Sequence, residues 1–331
     1  MRNVLVTGGA GYIGSHTAKA LARAGCQPIV LDNLITGNDW AVRWGPFVRG
    51  NIGDRALVRK VIAEYRVEAV IHFAAHAYVG ESTVEPGKYF ENNVANTLAL
   101  LDAVHDSGVE QFVFSSTCAT YGVPRKLPIR EQHAQSPVNP YGESKLFIEK
   151  ALRWYGEAYG LRSVCLRYFN AAGADPEGEI GECHTPETHL IPLVIYTALG
   201  LTPAVTVFGT DYPTPDGTAV RDYIHVCDLA EAHVRALDYL RRGRPSTAVN
   251  LGIGAGHSVR DVVRAVERVA DRKLLVSENP RRFGDPAILV ACAEKARKLL
   301  GWIPRFTNLD QIVETAWAWH LAQTPALSAA V

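Results

Sequence analysis

The 331-residue chain is short of several things, and each shortage excludes a class of protein. It has no net charge, because 34 Lys and Arg balance 34 Asp and Glu, so no field of one sign draws it to nucleic acid or to an anionic membrane surface. No apolar run approaches the roughly 18–20 residues needed to cross a bilayer, and no basic, then apolar, leader precedes the first strand pattern. Only six cysteines occur, Cys26, Cys118, Cys165, Cys183, Cys227 and Cys292, with no C-x-x-C pair among them. That usage predicts reduced thiols in a cytoplasmic protein and no disulfide framework. Internal repeats and low-complexity tracts are missing too. What remains is a chain that is 47% hydrophobic, enough for buried cores, with a small molecule as its expected partner.

The apolar runs are short and regularly interrupted. Asn3–Thr7, a helical pattern over Tyr12–Ala24 and an apolar Pro28–Leu31 ending at Asp32 make a strand–helix–strand unit. Further buried-strand patterns lie at Glu68–Phe73, Gln111–Ser115 and Ser163–Arg167, with helical patterns at Arg55–Tyr65, Tyr89–His105 and Tyr141–Tyr159 between them. Such alternation predicts an α/β protein with a doubly wound parallel sheet. After residue 170 the texture turns loop-rich, with prolines at 176, 186, 192, 203, 213 and 215, then Arg221–Val226 and helices near Val259–Ala270 and Leu309–Ala322. The expected division is residues 1–170 as a dinucleotide-binding domain and 171–331 as a smaller substrate domain, with segments near 220–250 returning to the first.

Between the first strand and helix, Gly8, Gly11 and Gly14 are spaced Gly-x-x-Gly-x-x-Gly, and Gly9, Gly11 and Gly14 also satisfy G-x-G-x-x-G. Glycines allow the tight turn and the close approach of backbone to phosphate, while the helix N-terminus offers free N–H groups. Asp32, at the end of the next strand, can accept hydrogen bonds from ribose hydroxyls and would repel a 2′-phosphate, so NAD is expected over NADP. Farther along, Tyr141-Gly-Glu-Ser-Lys145 sets a phenol and an amine on one helix face, at a separation of roughly 5–6 Å between Cβ atoms. An ammonium there is expected to favour the phenolate and bring the tyrosine pKa towards working pH. His72, inside an apolar strand, is expected to be a core histidine. Cys183-His184 with His189 has loose metal-like spacing but does not complete a four-ligand zinc set, so no metal is assigned.

These motifs resemble those of the extended short-chain dehydrogenase/reductase family and, within it, of the UDP-glucose 4-epimerases. The likeness also rests on His72-Phe-Ala-Ala75, Val79-Gly-Glu-Ser82, Asn92-Asn93, Phe114-Ser-Ser-Thr117, Leu166-Arg-Tyr-Phe-Asn170, Phe208-Gly-Thr-Asp-Tyr212, Asp216–Val226 and Pro280-Arg-Arg-Phe-Gly-Asp285. The wording around Ala77 and Ser116 is similar to that of bacterial exopolysaccharide-type epimerases and of UDP-arabinose 4-epimerases, which leaves hexose and pentose both open.

The resemblance implies that NAD contacts Gly8, Gly11, Tyr12, Ile13, Gly14, Asp32, Asn33, Asn51, Ile52, Phe73, Ala74, Ala75, Asn92, Ser115 and Tyr168, together with Tyr141 and Lys145. It makes Tyr141 the base, Lys145 the residue that holds the nicotinamide ribose, and Thr117 a catalytic hydroxyl. A UDP-sugar would meet Thr117, Tyr141, Asn170, His189, Leu190, Thr206, Phe208, Arg221, Arg282, Asp285 and Leu289. Arginine suits a diphosphate because its planar fork meets phosphate oxygens in pairs. The family likeness also implies a homodimer built through the Tyr89–His105 and Tyr141–Tyr159 helices. Ala77 stands where many hexose epimerases carry a lysine, Asn51 replaces a frequent aspartate, and Leu289 occupies a position of variable bulk. Sugar dehydratases and decarboxylases on this scaffold need acidic side chains after the Ser-Thr pair, where this chain has Cys118 and Ala119, so elimination of water lacks a proton shuttle. A non-catalytic NAD sensor would not be expected to keep both Tyr141 and Lys145.

Overall fold

Burial on both faces of short strands decides the architecture. In the computed structural model, which describes residues 2–282 and 284–327, β1 (Arg2–Thr7) sends Val4 and Val6 to one face and Leu5 to the other. Every one of these side chains is fully buried, which requires cover on both faces. Around β1 lie β2 (Cys26–Asp32), β3 (Phe47–Arg49), β4 (Ala69–His72), β5 (Gln111–Thr117) and β6 (Arg162–Tyr168). With Thr247–Leu251 they form one seven-stranded sheet in the order 247–251, β6, β5, β4, β1, β2, β3, and all pairs are parallel. The chain runs outward from β1 to β3 and then restarts on its other side at β4, a doubly wound order that opens a crevice at the C-terminal ends of β1 and β4.

Helices seal both faces. Helix α1 (Tyr12–Arg23) packs with Val226–Arg241, burying Leu21, Leu229, Leu237 and Leu240 against Val4, Val6 and Ile71. On the other face Arg55–Glu64, Asn96–Asp106 and Pro140–Tyr159 bury Val58, Ile62, Leu100, Val104, Ile148 and Leu152 against Leu5, Ile29 and Phe112. A separate core gathers Val194, Ile195, Val262, Val266, Ile312 and Val313 from helices Leu190–Ala198, Val259–Ala270 and Leu309–Leu327. Between the two masses a small cluster of Cys118, Tyr121, Ile129, Phe169 and Ala291 takes in Leu289 at its edge.

The expected Tyr89–His105 helix is not continuous. Pro86–Tyr89 passes through a wider π-type turn at Phe90–Ala95 before regular helix resumes at Asn96–Asp106. Side-chain bonding offers the reason, because Asn93 turns inward, accepting the His76 N–H (2.8 Å) and donating to the His76 carbonyl (2.9 Å) and the Ser144 hydroxyl (3.2 Å). Holding one side chain inward against three partners accommodates an extra residue in the turn. The edge strand Phe47–Arg49 and the helix Val79–Val84 carried no periodicity long enough to predict.

Candidate active site

Parallel pairing brings the C-terminal ends of five strands to one edge, since Thr7 is level with His72, His72 with Phe114, and Thr117 with Tyr168. The glycine turn, Asp32, Phe73–Ala75, Ser115–Thr117, Tyr168 and Asn170 therefore all lie at or just beyond that edge.

The three motif glycines have different physical tasks. Gly8 has φ +74°, and a Cβ there would stand 2.5 Å from the Ala74 nitrogen. A Cβ on Gly14 would stand 2.2 Å from the Gly8 carbonyl oxygen, so only glycine lets α1 come this close to the strand. Gly11 is unlike both. It is the N-cap of α1 with no side-chain cap, and a Cβ there would meet only the Gly8 oxygen, at 3.3 Å. Its outer side is open, with the first N–H groups of the helix beside it, which fits the pyrophosphate of a dinucleotide. Tyr12 and Ile13 have only their backbone to offer such a ligand: the Tyr12 hydroxyl donates to the Gly173 carbonyl at 2.5 Å, and Ile13 packs into the core.

Asp32 is buried and already holds the turn, its two carboxylate oxygens accepting the N–H of Ala10 (3.0 Å) and of Leu34 (2.9 Å). Burial raises its pKa while these bonds work in the opposite direction. Each oxygen keeps a second lone pair for a ribose hydroxyl. Asn33 closes an exposed turn by accepting the Ile35 N–H, and Asn51 does the same for Gly53. Ile52 is buried, and Asn92 donates to Asn93 at 3.0 Å. His72 is a core histidine as expected: its ring nitrogens lie 2.7 Å from Thr7 Oγ1 and 3.0 Å from Thr97 Oγ1, and burial drives its pKa down to about 3.

Tyr141 opens the Pro140–Tyr159 helix, where Pro140 presets the first turn and the Asn139 side chain accepts the Gly142 N–H at 2.8 Å. This helix is fastened to the sheet by Glu149, which takes the Arg167 guanidinium from β6 and the Ser116 hydroxyl from β5, all largely out of solvent. Thr117 caps the next turn, its hydroxyl accepting the Ala119 N–H (3.1 Å), and it lies near enough to the Tyr141 phenol to lower that group's pKa. Ser115 and Tyr168 bond each other through their hydroxyls.

The expected acidification of Tyr141 by Lys145 needs correction for the chain alone. Burial, then the neighbouring Tyr168, hold the Tyr141 pKa above its ordinary value, and the nearby Thr117 hydroxyl only partly offsets them. Lys145 is itself buried, donates to the Ser115 carbonyl at 2.9 Å, and has its pKa lowered by burial to about 7. Burial disfavours the charged amine and the charged phenolate alike, which works against the expected acidification. Same-face spacing gave the placement but could not reveal that Lys145 is buried and Tyr141 half-buried.

On the side where the resemblance places the sugar, Leu289 pairs in register with Arg221 and packs at the edge of the cluster that holds Cys118, the residue after Thr117. Arg221 is paired with Asp285 and donates to the Val220 carbonyl at 2.8 Å. Arg282 lies over the Phe208 ring, 4.1 Å from its centroid. Asn170, His189 and Leu190 line one small cavity together with Tyr223. Thr206 is exposed and bonds the Ser277 hydroxyl at 3.2 Å, and it is not brought to that cavity. Phe283 of the Pro280–Asp285 motif lies outside the described residues.

Two features involve residues given no role in the sequence reading. Asp222, fully buried beside Arg221, accepts the N–H groups of Ile253 (2.8 Å), Gly254 (3.0 Å) and Ala291 (3.0 Å), tying together the loops around the sugar side, and burial pushes its pKa to about 6. Glu182 and Glu187 converge on His184 and His189, the two histidines of the motif for which no ligand set was found; Cys183 is not part of that group.

Comparison with known proteins gives a consistent picture. Residues 4–252 match the model of the NAD dependent epimerase/dehydratase family. The chain is 54% identical over 318 residues to the UDP-glucose 4-epimerase of Rhizobium meliloti, covering 96% of this chain and 97% of that protein. A crystal structure of UDP-glucose 4-epimerase from Brucella ovis in complex with NAD superposes with a TM-score of 0.94 at 52% identity, over 96% of this chain and 98% of that one. The UDP-glucose 4-epimerase of Stenotrophomonas maltophila, with bound NAD and formylated UDP-arabinopyranose, superposes with a TM-score of 0.95 at 40% identity, over 98% of this chain and all of that one.

Proposed function

Because the chain belongs to the NAD dependent epimerase/dehydratase family, we propose that its crevice inverts C4 of a UDP-sugar, with UDP-glucose and UDP-galactose as the interconverted pair. The observation that carries this reading is the placing of Tyr141, Lys145 and Thr117 together at the C-terminal edge of the sheet, with Lys145 donating to the carbonyl of Ser115 two residues before Thr117, beside a glycine turn shaped for a dinucleotide. Gly8, Gly11, Gly14 and Asp32 would hold NAD, which would supply the acceptor and donor of hydride. Tyr141, as the phenolate that the positive charge of a bound nicotinamide would favour, takes the proton of the sugar 4-hydroxyl as C4 gives up its hydride, with the Thr117 hydroxyl beside it. The 4-keto sugar then turns over, offers its other face, and regains a hydride at C4 and, from Tyr141, the proton at O4. Lys145, anchored on Ser115, would be the donor to the cofactor ribose. Arg221 exchanges Asp285 for diphosphate oxygens, and Arg282, stacked on Phe208, closes over the nucleotide. Binding energy collected from the nucleotide holds the sugar near the reacting centre without fixing one ring face.

A pentose pair is the second reading, supported by the formylated UDP-arabinopyranose found on the Stenotrophomonas relative. Incubating the purified protein with UDP-glucose, UDP-galactose, UDP-xylose and UDP-arabinose and resolving the products decides between them. Tyr141→Phe should lower turnover by roughly 10²–10⁴ and keep nucleotide-sugar binding; wild-type turnover in that variant would reject the assignment. We place the domain boundary at 170/171, with segments near 220–250 returning to the first domain, a division supported by the pairing of Thr247–Leu251 with β6. We also propose a homodimer, because Phe90, Phe147 and Trp154 are exposed on the two elements expected to meet a mate. The free cysteines support a cytoplasmic setting, and no described helix is long and apolar enough to cross a membrane.

A further inference from the structure

The loop from Gly173 to His189 joins the cofactor side of the molecule to the Leu190–Ala198 helix. It is held from several directions: Tyr12 donates to Gly173, Asn38 to the Cys183 carbonyl (3.2 Å), Tyr78 to the Pro186 carbonyl (3.2 Å) and the Trp319 indole to the Glu182 carbonyl (2.9 Å). Inside it, Glu182 Oε1 lies 3.3 Å from His184 Nδ1 and 2.8 Å from His189 Nδ1. Glu187 reaches the same two nitrogens with different oxygens, Oε2 lying 3.5 Å from His184 Nδ1 and Oε1 3.1 Å from His189 Nδ1. The Glu182 and Glu187 side chains are only 5% and 3% exposed.

Ion pairing of the carboxylates with protonated imidazoles leaves part of this arrangement unsatisfied. Glu182 Oε1, His184 Nδ1 and Glu187 Oε2 are buried and lack hydrogen bonds of acceptable geometry, although each has an oppositely charged or polar atom within reach. Buried polar atoms of this kind normally have partners, and leaving several orphaned together is costly. Both imidazoles turn the same nitrogen inward onto shared carboxylates, whereas one N–H can point along only one direction. Four ligands at 2.0–2.2 Å from a tetrahedral ion sit about 3.4 Å from one another. The four carboxylate–imidazole contacts just given span 2.8–3.5 Å, and one ligand atom from each of the four residues lies within 4.8 Å of the others, so small side-chain adjustments would bring all four onto one ion. Two carboxylates and two neutral imidazoles also balance a dication without leaving buried charge over.

We propose that Glu182, His184, Glu187 and His189 bind one zinc ion as a closed, four-protein-ligand structural site. Its consequence is positional: with all four ligands supplied by the chain, the ion has no open position for a reactant, and it instead fixes His189 and Leu190 where they line the cavity beside Asn170. The tether would make the spacing Glu-x-His-x-x-Glu-x-His in this loop a metal-binding pattern.

The test does not depend on the reaction catalysed. Untagged protein purified without chelator is analysed for metals by plasma mass spectrometry, and chelator-treated protein is titrated against a chromophoric zinc indicator. About one zinc per chain as purified, or stoichiometric removal of zinc from the indicator, is the expected result. Less than about one tenth of an equivalent in the first measurement together with no competition in the second would overturn the proposal and leave a network of ion pairs. Glu187→Gln and His184→Asn should each weaken zinc binding at least tenfold, and unchanged affinity in both soluble variants would equally overturn it. If a variant fails to fold, the two wild-type measurements decide.

Discussion

Substitution of alanine for Gly11 and for Gly14 separates cofactor binding from folding within a single turn. A methyl on Gly14 would stand 2.2 Å from the Gly8 oxygen and 2.8 Å from the Gly9 Cα, more than 1 Å inside ordinary contact in the first case. Both neighbours are backbone, and Gly8 is pinned by its own N–H to the Leu31 carbonyl at 2.9 Å. Relief requires α1 to move off the sheet, an overpacking cost of about 1–3 kcal/mol. For Gly14→Ala that predicts a melting temperature lower by roughly 2–10 °C at this chain length and loss of NAD with it. Gly11→Ala meets a different situation. Its backbone is extended (φ −82°, ψ 175°), which alanine adopts freely, and the 3.3 Å contact to the Gly8 oxygen asks for only a small adjustment. Alanine is a poorer N-cap than glycine, but it also restricts the unfolded chain, so the net effect on stability should stay within about 1 kcal/mol. The methyl nevertheless projects where a pyrophosphate would touch the backbone, and NAD affinity should fall at least tenfold, about 1.4 kcal/mol. The assay is thermal denaturation of the cofactor-stripped proteins alongside calorimetric NAD titration. Gly11→Ala with wild-type affinity, or with a melting loss as large as that of Gly14→Ala, would refute this division of tasks.

Lys145 gives a pH signature. Its pKa is near 7 in the folded chain and 10.5 when unfolded, so the unfolded state binds more protons between those values and stability should rise with pH across that window; in cofactor-stripped Lys145→Met the rise should be smaller, and parallel urea-derived stability curves from pH 6.5 to 10 would contradict it. Asp32→Asn sets an amide where two backbone N–H groups need acceptors, so it should destabilise the chain by about 1–3 kcal/mol and reduce the preference for NAD over NADP, as measured by competitive binding; unchanged selectivity would remove Asp32 from the ribose. Leu289 should limit bulk at the sugar: activity on UDP-N-acetylhexosamines is expected to be the weakest of the substrates, raised by Leu289→Ser and suppressed by Leu289→Tyr, and a ratio of N-acetylhexosamine to hexose activity unaffected by either would move the gate elsewhere.

The parallel sheet was legible because each central strand is a short apolar run bounded by turns, and the cradle because its glycines fall between a strand and a helix. Phe47–Arg49 was not, since a three-residue edge strand has too few alternations to form a pattern. The break at Phe90–Ala95 depends on Asn93 meeting His76 and Ser144, partners 17 and 51 residues away. Lys145 and Tyr141 were found by their spacing, but their protonation was misjudged because dryness is a property of the packed neighbourhood. Glu182, Glu187 and Asp222 carried no individual role in the sequence, because their partners, two histidines and three N–H groups, come together only on folding.

The position of Tyr141 in the first turn of a 20-residue helix bears on when the site is live. The peptide dipoles of that helix present their positive end to its opening turn, favouring an anion there by about 0.3–1 kcal/mol, and up to ~2 kcal/mol where solvent is excluded. This contribution exists only while the turn is formed. Helix ends fray before interiors, and here the end is clamped by Asn139 and Pro140, whereas the Glu149–Arg167 ion pair holds the helix two turns farther along. Loosening at residues 139–142 would withdraw the dipole, the cap and the alignment with Thr117 together while the body of the helix stayed docked. The proton-transfer machinery can thus melt as a local unit, and inactivation on warming would precede the loss of the fold.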